Sequence, residues 1–264
     1  MPSHLGPRPA DRLLNRRSWL RAAACTSLTG HQALSSTLRS IGVANPIRLR
    51  IWCEGTAPPS VYPDDVDGAI AQAFRSLPEF QITTARLREP DSGLGDTQLD
   101  ATDVLIWWGR LCHEDVPDDR ARAIADRVRA GRLGLIALHT SFASKPFRLA
   151  MGQDCEPETW GEAAGSEQID VVAPDHPITQ GVASFVLPYG SRFAEPFAVP
   201  EPETVLLVSR YQTGESFRSG LTWSVGTGRV VYLRPGDDTH PVLFHPSVRN
   251  LISNAARWCA PRSS

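Results

Sequence analysis

Two short runs, Val-Leu-Ile-Trp-Trp at 104–108 and Leu-Gly-Leu-Ile-Ala-Leu at 133–138, carry no charged or hydroxyl side chain. A strand that is apolar on both faces must be covered on both, as in a parallel sheet held between helix layers. The stretch between the two runs supplies such cover. Over 117–130, Ala121, Ile124, Ala125 and Val128 fall on one face at helical spacing, with Pro117 in the first turn and Gly131 as the stop. The alternation starts upstream: 47–52 alternates apolar and basic residues as a strand does, and Ile70, Ala73, Phe74 and Leu77 mark a helix ended by Pro78. Segment 80–85 reads as a second strand. Strand, helix, strand, helix, strand predicts an α/β fold, a doubly wound, mostly parallel sheet with helices on both faces. Farther along, 204–209 reads as a strand, and 221–224 with 229–233 as a hairpin. A closing helix carries Val248, Leu251, Ile252 and Ala255 on its core face.

Ligands of such sheets bind beyond the C-terminal ends of the strands. The working site is therefore expected in the loops after 104–108 and 133–138. Bulk properties narrow the ligand. The 27 Lys and Arg nearly balance 29 Asp and Glu, so no broad field draws the chain to nucleic acid or anionic lipid. No apolar run approaches the roughly 18–20 residues of a membrane-spanning helix. A small, roughly neutral molecule is the better match. Cys25, Cys53, Cys112, Cys155 and Cys259 show neither CxxC nor zinc-finger spacing, so inert thiols are expected, with a Cys53–Cys112 bridge left open.

Residues 1–44 differ from the rest. Asn15-Arg16-Arg17-Ser18-Trp19-Leu20-Arg21 precedes an Ala-rich, acid-free stretch, and Gly42-Val43-Ala44 offers small residues for cleavage. This resembles a twin-arginine export signal ahead of one α/β domain at 45–261, with a periplasmic destination; the alternative is an N-terminal extension on a cytoplasmic protein.

Three clusters concentrate chemistry where strands should end. The first runs from Trp107 and Trp108 through Gly109, Arg110 and Cys112 to His113, Glu114 and Asp115; the second is His139-Thr140-Ser141; the third is Arg234-Pro235-Gly236-Asp237-Asp238-Thr239-His240. Each has a plainer reading: His139 as a hydrogen-bonded core residue, His113 as an exposed loop residue before a helix, Asp237 and Asp238 as turn caps. Arg218 and Arg234 could likewise pair structurally with Glu215 or Glu195. Successive strand residues face opposite ways, so one of Trp107 and Trp108 belongs to the core and the other could offer a platform to a sugar ring. Glutaminase chemistry is not expected, because the turn after Leu138 lacks a nucleophile flanked by glycines.

These clusters also carry a family likeness. Trp107-Trp108-Gly109 with His113, Leu138-His139, Phe217-Arg218-Ser219-Gly220, Arg234-Pro235-Gly236 and Ala255-Ala256-Arg257-Trp258 resemble the ThuA family of trehalose utilisation proteins. Tyr62-Pro63, Met151-Gly152 and His176-Pro177-Ile178 add to it, in the same order over about 47–261. The resemblance implies a class I glutamine amidotransferase-like, flavodoxin-like fold, completed by the C-terminal hairpin and helix, and a carbohydrate as partner. The chain departs from the family's histidine pattern at Arg110, Phe142 and Asp237. His113, His139 and Asp237 remain as ligands for a divalent metal such as zinc, although the Arg110 cation opposes one.

The expected assignment follows. His139, His113 and Asp238 are catalytic candidates, the imidazoles because they titrate near neutrality. Trp108, Arg110, Glu195, Arg218, Arg234 and His240 are candidates to bind substrate. The expected function is acid/base processing of a disaccharide or its keto derivative by a hydrolase, lyase or isomerase. The alternatives are a non-catalytic carbohydrate-binding protein with a degenerate site and a metal-dependent hydrolase of another substrate. Oligomeric state stays open.

Overall fold

The computed structural model describes residues 45–162 and 165–261, so the N-terminal arginine motif lies outside the described residues. In chain order the elements are β1 (Ile47–Cys53), α1 (Asp65–Phe74), β2 (Phe80–Arg86), α2 (Asp96–Asp100), β3 (Val104–Trp108), α3 (Asp118–Arg129), β4 (Gly134–Leu138) and α4 (Lys145–Met151). Then come β5 (Pro157–Glu162), β6 (Glu167–Val171), β7 (Phe185–Leu187), β8 (Ser191–Phe197), β9 (Thr204–Tyr211), β10 (Ser216–Val225), β11 (Gly228–Leu233) and α5 (Pro246–Cys259).

Nine strands form one sheet in the order β2-β1-β3-β4-β11-β10-β9-β6-β7, while β5 and β8 pair separately. From β2 to β11 every pairing is parallel. From β11 to β7 every pairing is antiparallel. The expected α/β architecture is therefore present, and its parallel half is the half whose alternation is visible in the sequence. The strands between 157 and 197 add an antiparallel extension that the sequence pattern does not announce.

Alternation along β3 sets the two layers. Val104, Ile106 and Trp108 face a cluster filled by Val66, Ile70 and Phe74 of α1 and Val248, Leu251 and Ile252 of α5. Leu105 and Trp107 face the other cluster, with Ile124, Ala125 and Val128 of α3 and Phe147 of α4. Helix α3 has Asp118 and Asp119 in its first turn and Arg127 and Arg129 in its last, which suits its dipole. Helix α5 starts at Pro246, and His245 caps it by accepting the Ser247 N–H at 3.2 Å. The four described cysteines are free thiols, so the Cys53–Cys112 bridge does not form. No described helix is long and apolar enough to cross a membrane.

Gly134, at the start of β4, is where α5 meets the sheet most closely: a methyl there would overlap the Cys259 carbonyl. Gly134→Ala is expected to destabilise the fold by about 1–3 kcal/mol, since backbone must move to admit the methyl. Urea denaturation checks this; an unchanged midpoint would show that α5 is not held against β4.

Candidate functional site

The loops after β1, β3, β4 and β11 meet at one end of the parallel strands, and hydrogen bonds weld them together. Thr140 Oγ1 donates to the Gly109 carbonyl at 2.7 Å, and Gly109 N–H donates to Ser141 Oγ at 3.0 Å. Trp108 Nε1 donates to the Gly236 carbonyl at 2.7 Å. The Tyr62 hydroxyl lies 2.9 Å and 2.6 Å from the carbonyls of Asp237 and His240 and accepts the Leu243 N–H. Glu54, directly after β1, accepts the N–H groups of Leu111 and Cys112 at 2.8 Å and 2.9 Å and so shapes the loop that bears Arg110 and His113.

His139 is the first residue after β4, and its φ of 56° is a left-handed conformation for a side chain with a Cβ. Such a turn costs on the order of 1–3 kcal/mol and persists because its surroundings hold it. Here the surroundings are Ser191 and Asp237. The Ser191 hydroxyl donates to Asp237 Oδ2 at 2.8 Å, and His139 Nε2 lies 3.2 Å from Ser191 Oγ. With the serine proton spent on the carboxylate and the Thr140 proton on the Gly109 carbonyl, both ring nitrogens face hydroxyl oxygens that can accept, Nε2 at 3.2 Å and Nδ1 at 3.3 Å. Burial pushes the His139 imidazole down to about 3, against the pull of Asp237. Burial alone would raise the Asp237 carboxyl, but His139 and the bonds from Thr239 and Ser191 hold it well below the usual carboxylate range.

His139, expected alongside His113 as a general acid or base, has no edge open to solvent. Its ring is fully buried and stays neutral through the working range, edge-on to Phe193 at 5.5 Å. The residue better placed for proton transfer is His240. Its Nδ1 is 3.4 Å from Asp237 Oδ1 and 3.1 Å from Thr239 Oγ1, its side chain is 37% exposed, and Tyr189 stacks on it at 4.9 Å. Arg110 and Asp238 join at 2.7 Å in the same loop cluster, and burial raises the Asp238 carboxyl against the pull of Arg110. His113 Nδ1 lies 3.9 Å from Glu54 Oε1, and burial lowers its pKa against that carboxylate. Arg110 Nε and His113 Nδ1 are both buried without a hydrogen-bond partner. Two such orphans at one loop cluster are what a ligand would satisfy.

Other expected binding residues belong to the scaffold. Trp108 is wholly buried and Trp107 stacks on Trp52 at 3.8 Å, so neither offers a ring to a sugar. Both sheet faces are covered, which is why the alternation of side chains exposes neither. Glu195 and Arg218 close on each other at 2.9 Å, with Arg218 also donating to the Phe197 carbonyl. Arg234 is buried in an ion pair with Glu167 and donates to the Ser191 carbonyl at 3.0 Å. Phe142, at a family histidine position, packs into the aromatic core with Phe193, Phe197 and Tyr232.

The expected metal set does not fit a dication. His139 and Asp237 are joined through Ser191, and Arg110 keeps a fixed positive charge nearby. Among the described residues, one trio of His, Cys, Asp or Glu has its ligand atoms within 4.8 Å of one another, and it is Cys53, Asp65 and Asp67. That trio is spoken for as well: Asp67 binds Arg86 at 2.9 Å, and burial keeps Cys53 a protonated thiol. Sequence reasoning missed Glu54, Ser191 and Tyr189. Glu54 was within reach of the rule on strand ends, since it follows β1 directly; Ser191 begins a strand with no sequence signal.

A family model described as ThuA, trehalose utilisation, matches residues 63–259. No curated protein matches the chain. Among solved structures, a ThuA-like protein of Parabacteroides merdae superposes with a TM-score of 0.62 at 10% identity, covering 83% of this chain and 93% of that one. A ThuA-like protein of Bacteroides uniformis gives 0.59 at 19% identity, with 82% and 92% covered. A β-galactosidase from Rahnella sp. R3 gives 0.53 at 11% identity, covering 81% of this chain and 31% of its own. At these identities the likeness is one of fold.

The His139 shift has a sign that can be measured. Its folded value of about 3 lies below the ordinary 6.5, so the stability it confers is complete above 6.5 and is lost as pH falls toward 3. Thermal unfolding followed between about pH 7 and pH 4 is expected to fall less steeply in His139→Gln than in the unmodified chain. Equal slopes would mean that the imidazole is not buried in its neutral form.

Proposed function

The chain belongs to the ThuA, or trehalose utilisation, family, and from that premise we propose that it processes a sugar, a disaccharide or its keto derivative, by proton transfer at His240. The observation that carries this reading is the His240–Asp237 pair. A buried carboxylate 3.4 Å from Nδ1 fixes the tautomer and leaves Nε2 of a half-exposed ring as the base or acid. Arg110 stands ready to hold a hydroxyl or carbonyl oxygen, because its guanidinium uses one N–H on Asp238 while Nε has no partner. His113, beside Gly109 and Glu54, supplies a second polar contact. Ser191 and His139 act behind Asp237 and keep its charge in place.

A second reading, a carbohydrate-binding protein without catalysis, is favoured by the burial of His139 and by Phe142 in the core. One experiment separates the two. Trehalose and keto sugars are screened for thermal stabilisation and turnover, using the unmodified chain and His240→Gln. Catalysis predicts a loss of at least roughly 100-fold in turnover with binding retained, the contribution of a positioned acid or base. Binding with no turnover in either protein selects the accessory reading, and no stabilisation by any sugar rejects both.

We also propose export through the Arg16-Arg17 motif. Fractionation of cells producing the tagged full chain is expected to place it in the periplasm and to return it to the cytosol when both arginines become lysine. Cytosolic recovery of both forms would contradict export.

A further inference from the structure

A cavity of about 300 Å³ opens beside His240, between segments 187–189 and 240–245. It is lined by the apolar side chains of Leu187, Pro188, Pro241, Val242 and Phe244 and by the ring of Tyr189. The polar groups among its side chains are the Tyr189 hydroxyl and the imidazoles of His240 and His245, each ring with Nδ1 already engaged. His240 Nδ1 faces Asp237 and Thr239, and His245 Nδ1 caps α5. Each ring therefore has only Nε2 to offer a guest.

We propose that this cavity receives an aromatic aglycone, so that the chain prefers glycosides carrying an aryl group over a disaccharide. The proposal rests on the sugar-site reading above and names the substrate class of that site. A second sugar ring would bring several hydroxyls into a space where two imidazole nitrogens and one phenol are the side-chain groups to meet them, and each buried, unpaired hydroxyl is costly. An aryl ring demands no such partners. It gains from apolar walls and from edge or face contact with Tyr189 and Phe244. The cavity adjoins the polar half of the site at one residue, His240, which lines it and lies 3.4 Å from Asp237. A glycoside seated across His240 would place its aryl group against 187–189 and 242–244, with its sugar toward Arg110 and Asp238.

Isothermal titration of the full chain with 4-nitrophenyl α-glucoside, methyl α-glucoside, trehalose and free 4-nitrophenol tests this. The aryl glucoside is expected to bind about tenfold more tightly than the methyl glucoside, the gain of one well-seated aromatic contact. Phe244→Leu keeps apolar volume and removes the ring; it is expected to reduce that advantage to roughly twofold while leaving the methyl glucoside unchanged. Because Phe244 also packs on Tyr62 at 5.3 Å, Tyr189→Ala at a position 53% exposed serves as the second variant, and the aryl advantage should shrink there too. Equal affinities for the aryl and methyl glucosides in the unmodified chain would overturn the aglycone site and leave the sugar reading intact. An aryl advantage that survives both substitutions would also overturn it. Binding of 4-nitrophenol and the aryl glucoside, with no binding of trehalose or methyl glucoside, would instead reject the sugar reading and with it the preference for glycosides.

Discussion

The buried pair of Arg234 and Glu167 ties the two halves of this fold together. Arg234 directly follows β11, the last strand of the parallel half, and Glu167 begins β6 near the far edge of the antiparallel half. Burying two charges is expensive, and removing either partner of such a pair typically costs about 3–5 kcal/mol because the other is left uncompensated. The pair therefore contributes less to net stability than to arrangement. Arg234 also donates to the Ser191 carbonyl, and its own N–H reaches the Ser219 carbonyl at 2.8 Å. Through Ser191 the guanidinium fixes the hydroxyl that stands between His139 and Asp237. Asp237 in turn faces His240, so the exposed imidazole owes its orientation to a cation that never meets solvent.

The parallel half was legible because its central strands β3 and β4 are covered on both sides. Val104–Trp108 and the run ending at Leu138 have to be wholly apolar to sit there, and wholly apolar runs are easy to see. The antiparallel half was harder. Segment 157–197 forms four strands, but β7 has three residues and β5 and β8 pair only with each other, so their pattern is short and mixed. The position of the site followed from topology, whereas the roles inside it did not. Trp108, Arg218, Glu195 and Arg234 look like binding residues in sequence because of their types, yet each is consumed by a partner that lies far along the chain. Which polar groups are spent and which are free depends on tertiary pairing, and no local pattern encodes it.

The turn after β4 has the strained geometry that presents a side chain at the head of a sheet, but this chain places an imidazole there and then buries it. Arg110, Phe142 and Asp237, the positions at which the resemblance implies histidines, are each engaged: Arg110 by Asp238, Phe142 by aromatic neighbours, Asp237 by Ser191 and Thr239. The half-exposed imidazole of the cluster is that of His240, in the loop after β11.

The two walls of the apolar cavity are built very differently. One wall is anchored: Tyr62 holds the His240 carbonyl and the Leu243 N–H, and His245 is locked onto the start of α5. The other wall hangs from β7, a three-residue edge strand with β6 as its single strand partner. Local opening begins where the fewest buried contacts must be given up, and in this molecule that is the sheet edge. Displacing β7 would reach the site as well, because Tyr189 stacks on His240 and Leu187 pairs with Glu167, the buried partner of Arg234. The shortest ladder of the sheet thus carries both one wall of the cavity and the residue that pairs with Arg234, so whatever loosens this edge also loosens the support behind Asp237 and His240.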